Sequence, residues 1–446
     1  MNIVERLEKV AVLGAAGKMG SGIVLLTALE MADLSLEPEN RSRAFSLYAV
    51  DISETALSGL MKYLRGQARR AAEKKAVGLR SVYAGRADLV ENEEIIGQYV
   101  EDVLAVVRPT TRIEAAFGAG LVFEATNENP DLKVRLLSQV RSQNVLDAWF
   151  LTNTSSIPIH ELDEKAGLGG RIIGFHFYNP PAVQKLVEVI RAESTLPELA
   201  DFAAQYAKKL RKTVVPSNDV AGFIGNGHFM RDALHGIAEV ERLAGEFGFV
   251  DAVSMVNKVS QDFLIRPMGI FQLIDYVGLD ICQGILKVMS DRSAGSGLWS
   301  PLLDRMIALD VLGGQFADGS QKDGFLKYEK GRPAGIYDPE AKAYVPLAGI
   351  APRRDERLGP LPASGKPWKS VIQIADRPGY LQGYFRDLRA MTTLGAEMAK
   401  SYGRKAKEAG LELVRNGVAR KDEDVNTVLL TGFYHAYGPI NSYFDE

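Results

Sequence analysis

A glycine-rich loop between a strand and a helix constrains the fold of this chain more than any other feature of its sequence. Gly14, Gly17 and Gly20 follow the apolar run Lys9–Leu13 and open a helix-like stretch from Lys18 to Leu29. Glycines in such a turn permit a tight bend and let backbone N–H groups approach a pyrophosphate at the helix N-terminus. The loop therefore predicts a dinucleotide site at the first strand of a parallel α/β sheet.

An acidic residue at the end of the second predicted strand supports a dinucleotide and selects its type. Asp51 follows the run Ser46–Val50, where a carboxylate accepts hydrogen bonds from a ribose 2′-hydroxyl and repels a 2′-phosphate. The sequence therefore favours NAD over NADP. Asp51 lies farther from Gly20 than the usual separation of roughly 20 residues, so we interpret the polar stretch 31–44 as an inserted surface loop.

The order of strand-like and helix-like stretches predicts an α/β part followed by an all-α part. Residues 1–216 alternate between the two patterns, as in a doubly wound Rossmann-type domain with a parallel sheet. Residues 217–335 carry long amphipathic segments and predict a helical domain. Residues 336–368 concentrate Pro and Gly and are interpreted as a linker. Residues 369–446 are helical again and weakly echo the first helical domain, which indicates a duplicated unit.

Composition and charge exclude several classes of protein. The chain has 53 Lys and Arg against 56 Asp and Glu, a net charge of −3, which is too near neutral for nucleic acid to be its main partner. Uninterrupted apolar runs such as Ile23–Leu26 fall short of the roughly 20 residues that span a bilayer, so no membrane segment is expected. The single cysteine, Cys282, supplies neither a disulfide nor a thiolate metal cluster, which favours a cytoplasmic protein without a metal.

A histidine near the end of the α/β domain is the candidate general base. His176 leaves the apolar run 171–175 and enters an Asn179–Pro180 turn, at the sheet edge where doubly wound folds bind ligands. Imidazole, with an unperturbed pKa of about 6.5, accepts a hydroxyl proton at neutral pH. Glu188 is the carboxylate in range to hold the other ring nitrogen and stabilise the imidazolium. A purely structural histidine is the alternative at this point.

These residues belong to a longer pattern that resembles the NAD-dependent L-3-hydroxyacyl-CoA dehydrogenase family. His176, Asn179–Pro180 and Lys185–Glu188 match its pattern of His, Asn-Pro and Lys-Leu-Val-Glu. Four further segments resemble family motifs: Glu124–Asn129, Asn153–Ser156, Ala221–Asn226 and Tyr276–Asp280. The resemblance begins at about Val10 and thins beyond Asp280, and the final stretch resembles the second helical repeat of multifunctional β-oxidation proteins.

The resemblance implies an enzyme that oxidises L-3-hydroxyacyl-CoA to 3-ketoacyl-CoA with NAD, as in fatty-acid β-oxidation. It assigns His176 as the general base, Glu188 as its partner, and Ser155 and Asn226 as contacts of the reacting oxygen. The cofactor contacts that it implies are Gly14, Gly17, Lys18, Met19, Gly20, Asp51, Glu128, Lys133, Ser155 and Asn179. Ser155, Asn226 and Lys74 would bind the acyl-CoA substrate, with Lys74 on a basic helix that meets the CoA phosphates.

Two other functions stay open from the sequence. A dehydrogenase of a non-CoA 3-hydroxy acid on the same fold would not need the basic helix that carries Lys74. A catalytically silent NAD-binding protein is open to any stable fold, although the intact His176 and Glu188 argue against it. The resemblance also implies a monomer or a homodimer through the helical domain, with the second helical repeat taking the place of a partner.

Overall fold

The computed structural model describes residues 3–292, 297–316 and 319–445. The chain divides into two compact units, Met1–Asp219 and Val220–Glu446. The predicted boundary after residue 216 falls inside a strand, Thr213–Asn218, that pairs with its neighbour in the first sheet. The first unit therefore continues to Asp219.

The first unit is built on eight strands with helices between them. The strands are β1 (Lys9–Leu13), β2 (Ser46–Val50), β3 (Val107–Thr110), β4 (Leu121–Glu124), β5 (Trp149–Thr152), β6 (Ile172–Phe177), β7 (Leu186–Arg191) and β8 (Thr213–Asn218). The helices are α1 (Ile3–Arg6), α2 (Lys18–Leu36), α3 (Glu54–Val82), α4 (Asn92–Ala105), α5 (Pro130–Gln143), α6 (Ile159–Ala166) and α7 (Pro197–Lys209). Short 3-10 turns lie at Pro38–Asn40 and Ile113–Gly118.

The eight strands form one sheet in the order β3-β2-β1-β4-β5-β6-β7-β8. Every neighbouring pair is parallel except β6 and β7, which are antiparallel. All residues of β4 and β5 are buried, as expected for a parallel sheet that is covered on both faces. The chain reverses its direction across the sheet between β1 and β4, and doubly wound folds bind ligands at such a point. The predicted doubly wound sheet is confirmed.

The stretch 31–44 is not the inserted surface loop that its polar composition predicts. Helix α2 extends well into it, because Met31, Ala32 and Leu34 continue the buried face of the helix. A 3-10 turn and a short connection then lead to β2. The wide spacing between the glycine loop and the end of β2 therefore comes from a 19-residue helix.

Among the helices of the described residues, α2 is long and apolar enough, by length and composition, to cross a membrane. The uninterrupted apolar runs of the sequence do not indicate such a helix. Its most apolar window has a mean hydropathy of 1.4, and 56% of that window is buried inside the protein. Ile23, Val24 and Ala28 belong to the core of the first unit, so the apolar character of α2 serves the interior of a doubly wound domain.

The second unit is mainly helical. Its helices are α8 (Phe223–Phe247), α9 (Phe249–Lys258), α10 (Ile270–Val277), α11 (Leu279–Ser290), α12 (Pro301–Ala308), α13 (Leu347–Leu358), α14 (Trp368–Val371), α15 (Arg377–Ala390), α16 (Leu394–Arg415) and α17 (Asp422–Gly432). A π-helical turn, Val259–Phe263, extends α9. Three strands, β9 (Leu326–Glu329), β10 (Arg332–Asp338) and β11 (Ala343–Pro346), form a small antiparallel sheet.

Residues 336–368 are not the plain linker that their Pro and Gly content predicts. They contain the end of β10, all of β11 and all of α13. Ile336, Ile350 and Leu358 are buried in the core of the second unit. Pro346 stands directly before α13, and a composition count cannot distinguish such a helix start from a flexible connection.

One apolar core joins the two predicted helical repeats. Phe229 on α8 and Tyr402 on α16 belong to the same buried cluster. Gly227 of α8 packs so closely on α16 that a Cβ there would lie 2.8 Å from the Leu413 side chain. The helices after residue 369 therefore fold as part of the second unit. That they repeat the first helical domain stays a prediction.

The single cysteine of the chain lies in the interior of the second unit. Cys282 on α11 is 0% exposed. Burial raises the pKa of its thiol, and the charges of Asp275 and Asp280 add to this effect. Because the thiolate is the reactive form of cysteine, the Cys282 thiol is unreactive in the folded protein.

Candidate active site

The glycine loop between β1 and α2 has the geometry of a phosphate cradle. Gly14 adopts a φ of +76°, and a Cβ there would lie 2.7 Å from the Ala125 carbonyl oxygen. A Cβ on Gly20 would collide with the Gly14 carbonyl. Gly17 caps the N-terminus of α2, whose first turn contains no acidic residue, so N–H groups and partial positive charge face an incoming anion. The loop therefore fits the pyrophosphate of a dinucleotide.

Asp51 stands directly after β2, beside this loop. Its Oδ2 accepts a hydrogen bond from the backbone N–H of Ala16 (2.9 Å) and its Oδ1 accepts one from that of Ser53 (3.4 Å). A carboxylate has further lone pairs for a ribose diol, so Asp51 fits the adenosine ribose of NAD. Lys18 and Met19 begin α2 next to the loop, with Lys18 exposed and Met19 packed against the core.

The Asp51→Asn variant is expected to lose much of the preference for NADH over NADPH. The neutral amide keeps an acceptor for the Ala16 N–H, but it binds a ribose diol less well and no longer repels a 2′-phosphate. We expect the ratio of kcat/KM for the two cofactors to fall by about 10-fold or more. Steady-state kinetics with both cofactors measure this ratio. Glu54→Gln, which neutralises an exposed carboxylate in the first turn of α3, is the matched control, and an equal change in both variants would contradict the assignment.

A buried ion pair fixes the loops that follow β4 and β5. Lys133 Nζ donates to both carboxylate oxygens of Glu124 (2.8 and 2.9 Å), and the two side chains are 1% and 0% exposed. Thr152 Oγ1, at the end of β5, donates to the same carboxylate (2.6 Å). Burial opposes the charged form of Lys133, but the charges of Glu124 and Glu128 outweigh it and raise the pKa of Lys133. The ammonium therefore stays charged inside the unit.

Glu128 holds the serine turn that follows β5. Its Oε1 accepts hydrogen bonds from the hydroxyls of Thr154 (2.6 Å) and Ser156 (2.9 Å) and from the backbone N–H of Ser155 (2.9 Å). Its Oε2 lies 3.3 Å from Lys133 Nζ. Burial opposes ionisation of Glu128, but the Lys133 charge and these donors outweigh it and lower the pKa of Glu128. Glu128 and Lys133 therefore order the turn that carries Ser155, and their predicted contact with NAD stays a prediction.

The general-base candidate and its carboxylate face each other across two antiparallel strands. His176 on β6 and Glu188 on β7 are register partners. Nδ1 of His176 lies 3.4 Å from Oε1 of Glu188, and the side chains are 10% and 0% exposed. Phe177, the next residue, donates its backbone N–H to Asn153 Oδ1 (2.9 Å), which ties this strand end to the segment that carries the serine turn. The fold thus places an imidazole–carboxylate pair at the edge of the sheet that also carries the glycine loop.

Sequence reasoning does not single out Tyr178, which the structure places on the same carboxylate. Its hydroxyl donates to Glu188 Oε1 (2.6 Å), and its ring centroid lies 4.9 Å from that of His176. Burial, and then the Glu188 charge, raise the pKa of Tyr178 well above its usual value. Tyr178 follows His176 by two residues, and the two-residue period of an extended strand is the signal that could have found it.

Lys212 fixes the loop that carries Asn179. This loop begins with a cis peptide bond between Asn179 and Pro180. Lys212 Nζ donates to the carbonyl oxygens of Pro181 (2.5 Å) and Gln184 (2.6 Å), and burial lowers the pKa of Lys212 to about 8. Asn179 therefore lies at the start of an ordered loop directly after the histidine strand. Its contact with NAD stays a prediction.

The other two predicted substrate contacts are carried by helices. Asn226 is in the first turn of α8, in the second unit. Lys74 is an exposed residue of α3, and it lines a cavity of about 400 Å³ together with Asp33, Lys75 and Arg211. The roles of Asn226 and Lys74 toward substrate stay predictions.

Residues 62–75 of α3 contain six Lys and Arg side chains. Half of them form ion pairs with acidic residues of the protein. Three of them form ion pairs, which are Arg65–Glu101, Arg69–Glu93 and Lys75–Asp33. The other three have no ion pair with any residue that the structure describes, and these are Lys62, Arg70 and Lys74. Lys74 thus keeps its charge available to an anionic ligand at the cavity that it lines.

A candidate general base at the same sheet edge as a dinucleotide loop is typical of nicotinamide-dependent dehydrogenases, and this is the class of protein that the fold and site indicate. Across residues 3–292, 297–316 and 319–445, no group of three or more His, Cys, Asp and Glu side chains is placed to hold a metal ion.

Two family models then identify the particular family. The model for the 3-hydroxyacyl-CoA dehydrogenase NAD-binding domain matches residues 9–220, and the model for the C-terminal domain of the same enzyme matches residues 237–328. The chain belongs to the 3-hydroxyacyl-CoA dehydrogenase family, and NAD is confirmed as its cofactor.

Individual relatives agree with this family. A probable 3-hydroxybutyryl-CoA dehydrogenase of Deinococcus radiodurans is 33% identical over 231 residues, which are 50% of this chain and 78% of the relative. A probable 3-hydroxybutyryl-CoA dehydrogenase of Bacillus subtilis is 30% identical over 342 residues, which are 75% of this chain and 98% of the relative. The crystal structure of 3-hydroxybutyryl-CoA dehydrogenase from Escherichia coli is 19% identical, has a TM-score of 0.64, and covers 97% of this chain and 90% of that chain. That structure shows a common fold over nearly the whole length.

Proposed function

We propose that the protein oxidises L-3-hydroxyacyl-CoA to 3-ketoacyl-CoA, reversibly, with His176 as the general base and Glu188 as the carboxylate that orients it. The observation that carries the proposal is the imidazole–carboxylate pair, with Nδ1 of His176 3.4 Å from Oε1 of Glu188. The names of two relatives, both probable 3-hydroxybutyryl-CoA dehydrogenases, support a 3-hydroxyacyl thioester as the substrate.

In the proposed reaction, His176 takes the proton of the substrate hydroxyl. Because its Nδ1 faces Glu188, Nε2 is the ring nitrogen that can accept the proton of the 3-hydroxyl group. Glu188, which is completely buried, stabilises the imidazolium that forms. Bound NAD supplies the hydride acceptor, so loss of the hydroxyl proton and of the C3 hydride leaves a 3-keto group. Ser155 and Asn226 would donate hydrogen bonds to the reacting oxygen, as the resemblance to the family implies.

The CoA part of the substrate is assigned to the basic helix α3. Lys74 is exposed and has no ion pair within the described part of the chain, which suits an electrostatic contact with a phosphate. Lys74→Glu is expected to raise KM for acetoacetyl-CoA by roughly 3- to 10-fold, since an exposed charge pair contributes on the order of 1 kcal/mol. The same variant is expected to use the acetoacetyl thioester of N-acetylcysteamine, which lacks the CoA phosphates, as well as the unmodified protein does. Rates of NADH oxidation with the two thioesters measure both effects.

Lys330→Glu is the matched control, because it reverses the charge of an exposed lysine between β9 and β10 in the second unit. It is expected to leave both KM values unchanged. Unchanged KM values in Lys74→Glu, together with turnover of free 3-hydroxybutyrate, would favour a dehydrogenase of a non-CoA 3-hydroxy acid. Binding of NADH without turnover of any 3-keto substrate would indicate a silent NAD-binding protein.

A further inference from the structure

The buried carboxylate of Glu188 serves two partners at one oxygen atom. Its Oε1 accepts a hydrogen bond from the Tyr178 hydroxyl at 2.6 Å and lies 3.4 Å from Nδ1 of His176. The tyrosine therefore makes the shorter of these two contacts. Glu188 is 0% exposed, so protein groups, rather than bulk water, determine how strongly its charge acts on the imidazole.

The Tyr178 hydroxyl stays protonated and donates its hydrogen bond to Glu188. Burial and the Glu188 charge raise the pKa of Tyr178 well above its usual value, so the phenol keeps its proton at neutral pH. Its ring lies against the imidazole, with a centroid distance of 4.9 Å and an interplanar angle of 39°. Two groups that face the carboxylate are His176 from β6 and Tyr178 from the segment after it. Lys212, from the segment before β8, faces the Phe177 ring at 5.7 Å and donates to loop carbonyls.

We infer that Tyr178 is a positioning residue that shares Glu188 with His176 and thereby limits how strongly the carboxylate stabilises the imidazolium. A donor on Oε1 satisfies part of the carboxylate charge, and it occupies the oxygen to which His176 Nδ1–H would otherwise move closer. Both effects favour release of the proton from the imidazole. Tyr178 therefore favours the neutral imidazole, which is the form that accepts the substrate proton. This inference rests on the proposed role of His176 as general base.

Tyr178→Phe tests the inference, because it removes the hydroxyl and keeps the ring that packs on His176. Oxidation needs the neutral imidazole and reduction needs the imidazolium, so the acid limb of the oxidative kcat/KM profile and the basic limb of the reductive profile report the same group. We expect both limbs to move toward higher pH, by about half a unit to one unit. A tyrosine that only fills space would leave both limbs in place, because phenylalanine fills nearly the same volume.

Tyr206→Phe is the matched control. Tyr206 is a buried tyrosine of the same unit whose hydroxyl shares a hydrogen bond with Thr27 (2.9 Å) and not with Glu188. It is expected to leave both limbs unmoved. If the limbs of Tyr178→Phe stay in place, or move toward lower pH, the inference is overturned.

A second measurement does not depend on turnover. The chain has five histidines, and the ring signal of His176 in an NMR titration is identified by its loss in His176→Gln. In Tyr178→Phe the pH at the midpoint of this titration is expected to rise. In a Glu188→Gln background the same tyrosine change is expected to leave the midpoint pH unchanged. Equal shifts in both backgrounds would overturn the inference. Full activity of His176→Gln, with the expected titration shifts present, would instead remove the proposed function and leave the shared carboxylate intact.

Discussion

Replacing His176 with glutamine is expected to lower kcat by roughly 10²- to 10⁴-fold in both directions, the range for loss of a general acid–base group. Glutamine fills part of the same space at the end of β6, but it cannot carry the proton between substrate and solvent. Binding of NADH is expected to stay unchanged, because the glycine loop and Asp51 follow other strands, β1 and β2. Turnover of acetoacetyl-CoA and a fluorescence titration with NADH measure the two quantities separately.

His160→Gln controls for the loss of a histidine from the first unit. His160 lies in α6, is exposed, and pairs through Nδ1 with Asp219 Oδ2 (2.7 Å). Its replacement is expected to leave kcat within about twofold of the unmodified protein. If His176→Gln retained more than about a tenth of the activity, a general base would have to be sought elsewhere in the site.

The Lys133→Met variant is expected to lose about 3 to 5 kcal/mol of unfolding free energy in the first unit. Methionine fills similar space, but it leaves the Glu124 carboxylate, 0% exposed, without its ammonium partner. Such an uncompensated buried charge is among the most costly single changes in a protein. Urea unfolding followed by circular dichroism measures the loss. The urea concentration at the midpoint is expected to fall, and the dependence of the unfolding free energy on urea concentration is expected to stay the same.

The double variant Lys133→Met, Glu124→Gln separates the buried charge from the loss of packing. Removal of both charges is expected to restore part of the stability, because the amide no longer carries a charge that needs neutralising. Lys165→Met is the surface control: its ion pair with Glu161 spans 3.2 Å, the lysine is 58% exposed, and a loss of less than about 1 kcal/mol is expected. A Lys133→Met variant as stable as this control would contradict the structural role of the pair.

The first part of the fold can be predicted because its signals are local. Lys9–Leu13 is β1 as the apolar run predicts, and the glycine turn after it leaves few alternatives. The extension of α2 through 31–44 cannot be found in the same way. Asp33 is one of the charged residues of that stretch, but its carboxylate accepts hydrogen bonds from Lys75 of α3 and Tyr99 of α4. Those partners are distant in sequence, so composition alone assigns a surface loop.

The edge strand β3 has no sequence signature of its own. It contains Arg108 and Pro109, and a proline is tolerated only where a strand needs no further N–H donor, as at a sheet edge. Pairing with β2 is what makes this segment a strand. Sequence patterns that depend on apolar alternation therefore miss it.

The site shows the same division between local pattern and tertiary contact. His176 and Glu188 are found from sequence through their place in a motif, and the register of β6 and β7 brings them together. The arrangement of Glu128 and Lys133 depends on a turn that follows a different strand, so a motif cannot tell that they hold Ser155. The family pattern thus identifies the candidate site residues. The tertiary structure shows which of them hold another site residue in position.

The buried thiol of Cys282 makes the protein suitable for site-specific labelling. The chain has no other cysteine, and this one is 0% exposed, so maleimide probes at neutral pH will find no reactive thiolate on the native surface. A cysteine introduced at exposed Ser58 of α3 and another at exposed Lys405 of α16 would then be the two labelled positions. A pair of spin labels or fluorophores at these positions would report the distance between the two units, with and without NAD, in solution.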